Sequence, residues 1–396
     1  MRVLFILWES FGNNDVIEEL DKRGYEVVLY KFNRKMEDYR DPRDREKLIE
    51  ALSEQEYDFV FSFDYFPLVS VACAVKKVKY VAWVYDSVLF SIHHYTIASP
   101  YNYIFLFDKT DYYELKQKGL TNVYYLPLAA AVERYDSYKM SDEEREVYEV
   151  PISFVGSTYS ENRHGIYKSM CQLDEYTRGY VDGCMQVQKN MYGNFILEDM
   201  LAVPDILKNI EDEIGMKKDP DLYMGYERCI TYPIFAKYIT VMERQEILSM
   251  LSEKYKVALY TLKRTPSLPK IDNRGIAGTK KETCFVYRAS KINLNITLKT
   301  IRSGIPLRAF EIMGSGGFLL TNYQTDFFDF FEPGVDFAYY DSYEDLMEKV
   351  EYYLSHDKER EEIARNGYEK VKQYHNYHVR IGAILDILDN DKAKVV

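Results

Sequence analysis

The chain has 396 residues, enough for two domains with full cores, and its 47% hydrophobic and 29% charged residues describe a soluble globular protein. The formal net charge of −12 argues against a nucleic-acid-binding role, because a phosphate backbone would be repelled and no basic stripe offsets the excess. No run reaches the about 18 apolar residues of a membrane span, and the apolar stretch opening MRVLFILWESFG is too short for a signal peptide. A cytoplasmic location is expected. Cys73, Cys171, Cys184, Cys229 and Cys284 are scattered without metal-ligand spacing, as suits small, buried, reduced thiols.

The first 130 residues alternate strand-like and helix-like stretches, the pattern of a parallel α/β sheet with crossover helices. Arg2 to Leu7 reads as a strand, Asn14 to Arg23 as a helix closed by Gly24, Tyr25 to Tyr30 as a strand, and Asp44 to Glu54 as a charged helix. Three apolar runs then end alike, at Asp64, Asp86 and Asp108. In open α/β sheets ligands gather beyond the carboxyl ends of strands, so these aspartates are expected along one edge, with at least one facing a cleft. Glu133 to Glu149 is charge-dense and weakly periodic and reads as the connection between domains.

A second α/β domain is expected to open with a strand from Ile152 to Val155 that runs into Gly156 and Ser157. A glycine there would let backbone approach a phosphate, although most such turns are only turns. From Gly165 to Ser252 the pattern is helical, a block that would shape an acceptor site, form a homo-oligomer contact, or simply add core. Lys256 to Leu262 returns to strand, and Thr265 to Thr283 reads as a loop. The most informative stretch is Lys291 to Gly334: a strand to Ile296, a loop from Thr297 to Gly304, a helix with Pro306 as its first residue, two glycines, and a strand from Phe318 to Thr321. The helix N-terminus offers free N–H groups to an anion, and Arg302 and Arg308 would reinforce it. Glu311 shares a helix face with Arg308; by spacing alone it either pairs with that arginine or bonds a ligand hydroxyl. Further helices are expected after Ser342, from Asp357 to Tyr374, and over the amphipathic tail from Tyr377 to Asp389. Asp219-Pro220-Asp221 and Asp389-Asn390-Asp391 have the spacing of a metal-binding pair but read as solvated turns.

The run RAFEIMGSGGFLLT at Arg308 to Thr321, with FDYFP at Phe63 to Pro67, WVYDS at Trp83 to Ser87 and NYIFLFDK followed by VYYLPLAA, resembles the CgeB-like (spore maturation protein) glycosyltransferases. The resemblance implies a GT-B fold: two Rossmann-like domains with parallel sheets facing across a cleft, an acceptor domain at 1–145 on which a terminal helix at 378–396 packs back, and a nucleotide-sugar domain at 151–377. It further implies a nucleotide-diphosphate sugar donor, UDP first, with Glu311 on the ribose and Gly156, Ser157, Arg163, Asn295, Arg302 and Arg308 about the remainder of the donor. No cofactor or metal is required on this reading, and the acceptor is a protein or glycan.

An inverting reaction needs a base on the acceptor side, for which Asp86 is the first choice and His93 and Glu9 are rivals. His93 and His94 are adjacent, so only one is expected to face the cleft. Many retaining GT-B enzymes carry a glutamate eight residues before the ribose-binding one, and here that position is Ser303. A GT-B nucleotide-sugar epimerase and a non-catalytic spore or envelope assembly protein are the competing expectations. A dinucleotide oxidoreductase is disfavoured, because WESFGNNDV lacks the glycine pattern of a pyrophosphate turn.

Overall fold

The structure, a computed structural model, describes residues 1–392 apart from 33–40 and 160–169. Contacts divide the chain into two units: one of Met1–Leu128, Asp219–Met224 and the chain from Asn376 onward, the other of Ala129–Lys218 and Gly225–His375. In the first, β1 (Arg2–Leu7), β2 (Glu26–Lys31), β3 (Phe59–Phe63), β4 (Lys79–Val84), β5 (Asn102–Leu106) and β6 (Val123–Tyr125) form one parallel sheet in the order β2-β1-β3-β4-β5-β6. The inner strands β3 and β5 are buried at every residue, which is why they read as unbroken apolar runs rather than alternating ones. Phe5 and Phe61 face each other across the β1–β3 register with ring centroids 5.2 Å apart.

The Tyr377–Lys392 helix belongs to this unit. Tyr377 packs edge-on to Trp83 at 5.9 Å, Lys79 donates to the Leu388 carbonyl at 2.7 Å, and Arg380 donates to that of Pro127 at 2.8 Å. Asp389 and Asn390 fall inside this helix, so the turn expected around them is helical instead. Asp219-Pro220-Asp221 is a turn, in which Asp219 accepts from the Asp221 N–H at 3.0 Å. Its segment is held by Tyr95, whose N–H donates to the Asp221 carbonyl, and by the Tyr223 N–H donating to His93 O at 2.7 Å.

In the second unit, β7 (Val150–Val155), β8 (Val257–Tyr260), β9 (Asp272–Asn273), β10 (Ser290–Asn295), β11 (Leu319–Asn322) and β12 (Ala338–Tyr340) form a second parallel sheet, ordered β12-β11-β10-β7-β8-β9. Its core joins Ile152, Phe154, Ile292 and Leu320 to Ile247 and Val350 on the covering helices. Burial of each such side chain contributes roughly 1.5–3 kcal/mol. The helical block packs a smaller core of its own, with Val181, Met185, Leu197, Ile210 and Phe235.

Several expectations change here. Glu133 to Glu149 folds as two helices, Val132–Ser137 and Asp142–Tyr148, the second opened by a capping box between Ser141 and Glu144. Arg288 donates to the Tyr135 and Tyr138 carbonyls at 2.7 Å each, fixing this stretch to the second unit. The loop expected from Thr265 to Thr283 holds β9 and ends in a capping box at Thr279 and Glu282. Pro306 is the N-cap of the Leu307–Gly314 helix rather than its first residue; its ψ of 151° is extended. Cys171 is exposed, unlike the other four cysteines. Among the described residues, no helix is long and apolar enough to cross a membrane.

Candidate functional site

Because β7, β10 and β11 run parallel, the segments leaving their carboxyl ends lie along one edge of the second sheet. Gly156 and Ser157 come directly after β7, Asn295 ends β10, and Arg308 stands in the first turn of Leu307–Gly314. The structure brings these together. The Asn295 amide nitrogen donates to Thr297 Oγ1 at 3.0 Å and Thr321 Oγ1 at 2.9 Å. Those two bonds fix the amide orientation and leave its oxygen to accept from Arg308 Nη1 at 3.2 Å. The Arg308 guanidinium also lies 5.0 Å from the Phe154 ring centroid. Gly156 has φ +151°, and a Cβ there would stand 2.3 Å from Arg308 Nη2. The backbone conformation demands glycine, and a side chain there would also push the Arg308 guanidinium aside.

A second arginine, on which the sequence pattern puts no emphasis, shares this place. Arg244, midway along the Lys237–Lys254 helix, is fully buried and donates to the Ile296 carbonyl at 2.6 Å and to the Ser157 carbonyl. Its guanidinium lies 5.2 Å from Phe154 and 5.0 Å from Tyr159. Burial, and then the Arg308 charge, pull its pKa down to about 10. The same helix holds the next loop: Thr240 accepts from the Lys299 N–H at 2.9 Å, and Glu243 pairs with the Lys299 ammonium at 3.1 Å. Tyr192 completes that group, donating to Glu243 at 2.8 Å beneath the Lys299 ammonium. Burial next to Glu243 pushes its hydroxyl pKa far up.

Arg302 is half-buried on this loop, and with Thr297, Lys299, Asn322 and Gln324 it lines a small pocket walled by Tyr192 and Phe195 of the helical block. Ser303 is buried, and its carbonyl accepts from the Asp326 N–H at 3.1 Å. Glu311 is half-buried three residues after Arg308, close enough to Tyr287 that its charge adds to burial in raising that hydroxyl's pKa. Arg163 lies outside the described residues.

In the first unit the three strand-end aspartates separate by environment. Asp64 is fully buried with φ 57°, and its carboxylate accepts from the Tyr85 and Asp86 N–H groups at 3.1 and 3.2 Å, tying β3 to the end of β4. Asp108 is buried as the N-cap of Lys109–Gln117, accepting from Thr110 at 2.9 Å. Asp86 alone of the three is half-buried, at an end whose backbone Asp64 orients. Glu9 is exposed just past β1. His93 and His94 are alike in exposure. Both are buried, in a stretch of short 3-10 turns where His94 Nδ1 caps Thr96.

Residues 244–386 match the family described as "Glycosyl transferase-like". No curated protein sequence matches. Among solved structures, the chain is similar to sucrose-phosphate synthase from Thermosynechococcus elongatus, at 9% identity and TM-score 0.59 over 99% of this chain and 100% of that one. HepE of Anabaena in complex with UDP-glucose is similar at 10% identity and TM-score 0.55, over 98% of this chain and 100% of that one. A putative UDP-N-acetylglucosamine 2-epimerase from Listeria monocytogenes is similar at 10% identity and TM-score 0.50, over 99% and 97%. These likenesses define an α/β protein of the GT-B fold, two Rossmann-like halves each built on a six-stranded parallel sheet. The glycosyl transferase-like segment, residues 244–386, includes Asn295, Arg302, Arg308 and Glu311.

Proposed function

We propose that the enzyme transfers a sugar from a nucleotide-diphosphate donor bound by the second unit to a protein or glycan hydroxyl bound by the first, in the manner of the CgeB-like group. The observation that carries this reading is Arg308, aimed by Asn295 and laid over Gly156 at the edge of β7 and β10. In the proposed reaction the acceptor oxygen bonds to the anomeric carbon as the bond from that carbon to the diphosphate oxygen breaks. The acceptor proton passes to a base, and the nucleoside diphosphate leaves with the added negative charge. Arg308, Arg302 and the N–H groups opening Leu307–Gly314 would stabilise that charge, which grows toward the transition state, so the protein itself supplies the cations. Glu311 would bond the ribose hydroxyls. Asp86 is the proposed base, half-buried at a strand end, with exposed Glu9 as the rival. His93 is the weaker candidate because it is enclosed. UDP is the first nucleotide to try, on the support that HepE was solved with UDP-glucose.

A thermal-shift panel of nucleoside diphosphates and their sugars tests donor binding, and two substitutions test roles. Glu311→Ala should abolish donor binding. Asp86→Asn should preserve binding and lower transfer by about 100-fold or more. Full transfer by Asp86→Asn removes the base assignment and leaves the donor site standing. Incubation with UDP-sugars and no acceptor separates a transferase, which gives at most slow hydrolysis, from an epimerase, which makes a new UDP-sugar. A protein that neither shifts nor turns over with any nucleotide sugar would instead be a non-catalytic member of the fold.

A further inference from the structure

A buried charge is ordinarily matched by a carboxylate, because the interior gives it nothing else of comparable strength. Arg244 is fully buried, and no carboxylate among the described residues forms an ion pair with it. Its two terminal nitrogens bond instead to carbonyls, one just beyond β7 at Ser157 and one just beyond β10 at Ile296. Those strands are neighbours in the sheet, and both carbonyls lie past the last paired residues of the ladder, where the backbone would otherwise splay. The Nε nitrogen has no partner among the described residues. A planar fork can span two carbonyls at once, which a lysine ammonium on one flexible stem does far less well.

Arg308 makes this more than a staple. Both guanidiniums rest on Phe154, so two like charges share one ring, and burial first, with the Arg308 charge after it, lowers the basicity of Arg244. A staple for two backbone ends needs one cation; a second beside it is unfavourable until an anion arrives.

We infer that Arg244 is the positioning residue of the donor diphosphate site: by fixing the Ser157 and Ile296 carbonyls it sets where the Gly156–Ser157 turn and Arg308 meet the anion. Its charge adds to theirs without touching the ligand. The inference rests on the donor-site reading above and adds a residue to it.

The test uses the full chain with inorganic pyrophosphate and UDP as probes, measured by calorimetry. Arg288→Lys is the control, because Arg288 also bonds to backbone carbonyls, those of Tyr135, Tyr138 and Ser315, within the same unit but away from the Gly156 turn. Arg244→Lys should weaken pyrophosphate and UDP by about tenfold or more, the worth of a charge-assisted contact displaced, while Arg288→Lys stays within about twofold of wild type. In transfer assays Arg244→Lys should raise the donor KM and leave the acceptor KM unchanged, a split that general destabilisation does not produce. Wild-type affinity in Arg244→Lys, or equal weakening in Arg288→Lys, overturns the inference. If Arg244→Lys does not fold, hydrogen exchange on the wild-type chain decides. Pyrophosphate should slow exchange in the peptides spanning 153–159 and 296–300, and unchanged exchange there refutes the assignment. Failure of wild type to bind either probe removes the donor site itself, an outcome distinct from wild-type binding that Arg244→Lys retains.

Discussion

Replacing Gly156 with alanine separates the two demands made on that position. The added Cβ would stand 2.3 Å from Arg308 Nη2 and 3.0 Å from Cζ, and the residue keeps φ +151°. Backbone strain of that kind costs about 1–3 kcal/mol. Pushing the guanidinium off the Asn295 oxygen removes a bond worth about 1 kcal/mol at this half-exposed site, so the total is about 2–4 kcal/mol. Both tryptophans, Trp8 and Trp83, lie in the first unit, so tryptophan fluorescence follows that unit while far-UV circular dichroism also follows the second. Urea unfolding of Gly156→Ala should move the dichroism transition to lower denaturant and leave the fluorescence transition in place. In an Arg308→Ala background the clash is gone and only the strain is left, so the penalty should shrink by the part due to Arg308. Equal penalties in the two backgrounds would refute the placement of Arg308 over Gly156.

Glu243→Gln should destabilise the second unit by about 3–5 kcal/mol in urea unfolding, because it leaves the buried Lys299 charge without its partner. A double change to Glu243→Gln with Lys299→Met should recover most of that loss. Cys171 should be the one thiol of five that reacts quickly with a disulfide reagent in the native protein, since burial raises the pKa of Cys73, Cys184, Cys229 and Cys284; Cys171→Ser should remove the fast phase. The Asp41 carboxylate, which caps Pro42–Ala51, is held down to about 2 by hydrogen bonds from the Arg43 side chain and N–H. A lowered folded pKa means its contribution is present above the ordinary 3.8 and fades as pH falls through about 2. An NMR titration that places Asp41 in the usual carboxylate range would show the cap to be absent.

Most of the strands are legible in the sequence because strands buried on both faces leave an unbroken apolar run: β3 and β5 announce themselves in DFVFSFD and YIFLFD. The short β9, only Asp272–Asn273, has too few residues for any period and reads as loop. Asp64, Asp86 and Asp108 look alike in sequence, since each comes after an aromatic residue at a strand end. What distinguishes them is tertiary: the left-handed backbone of Asp64, the helix begun by Asp108, and the half-exposure left to Asp86. Arg244 is hidden in the sequence for a related reason. A Glu-Arg pair near the start of VMERQEILSMLSEKY reads as a solvated helix face, whereas Glu243 and Arg244 are both buried against the loops beyond β7 and β10. Ile239, Ile247 and Leu248, one helical turn to either side of that pair, are the available signal.

The chain passes from one unit to the other four times, after Leu128, Lys218, Met224 and His375. During synthesis the first unit therefore begins before the second and is completed after it, because the Tyr377–Lys392 helix must leave the ribosome before Trp83, Lys79 and the Pro127 carbonyl gain these partners. The second unit, with its own sheet and core, can be finished while the first still lacks one wall. No single cut yields two self-sufficient halves. A nascent chain arrested before Tyr377 should accordingly offer chaperones the exposed aromatic flank of β4, and cover it once the Tyr377–Lys392 helix has emerged.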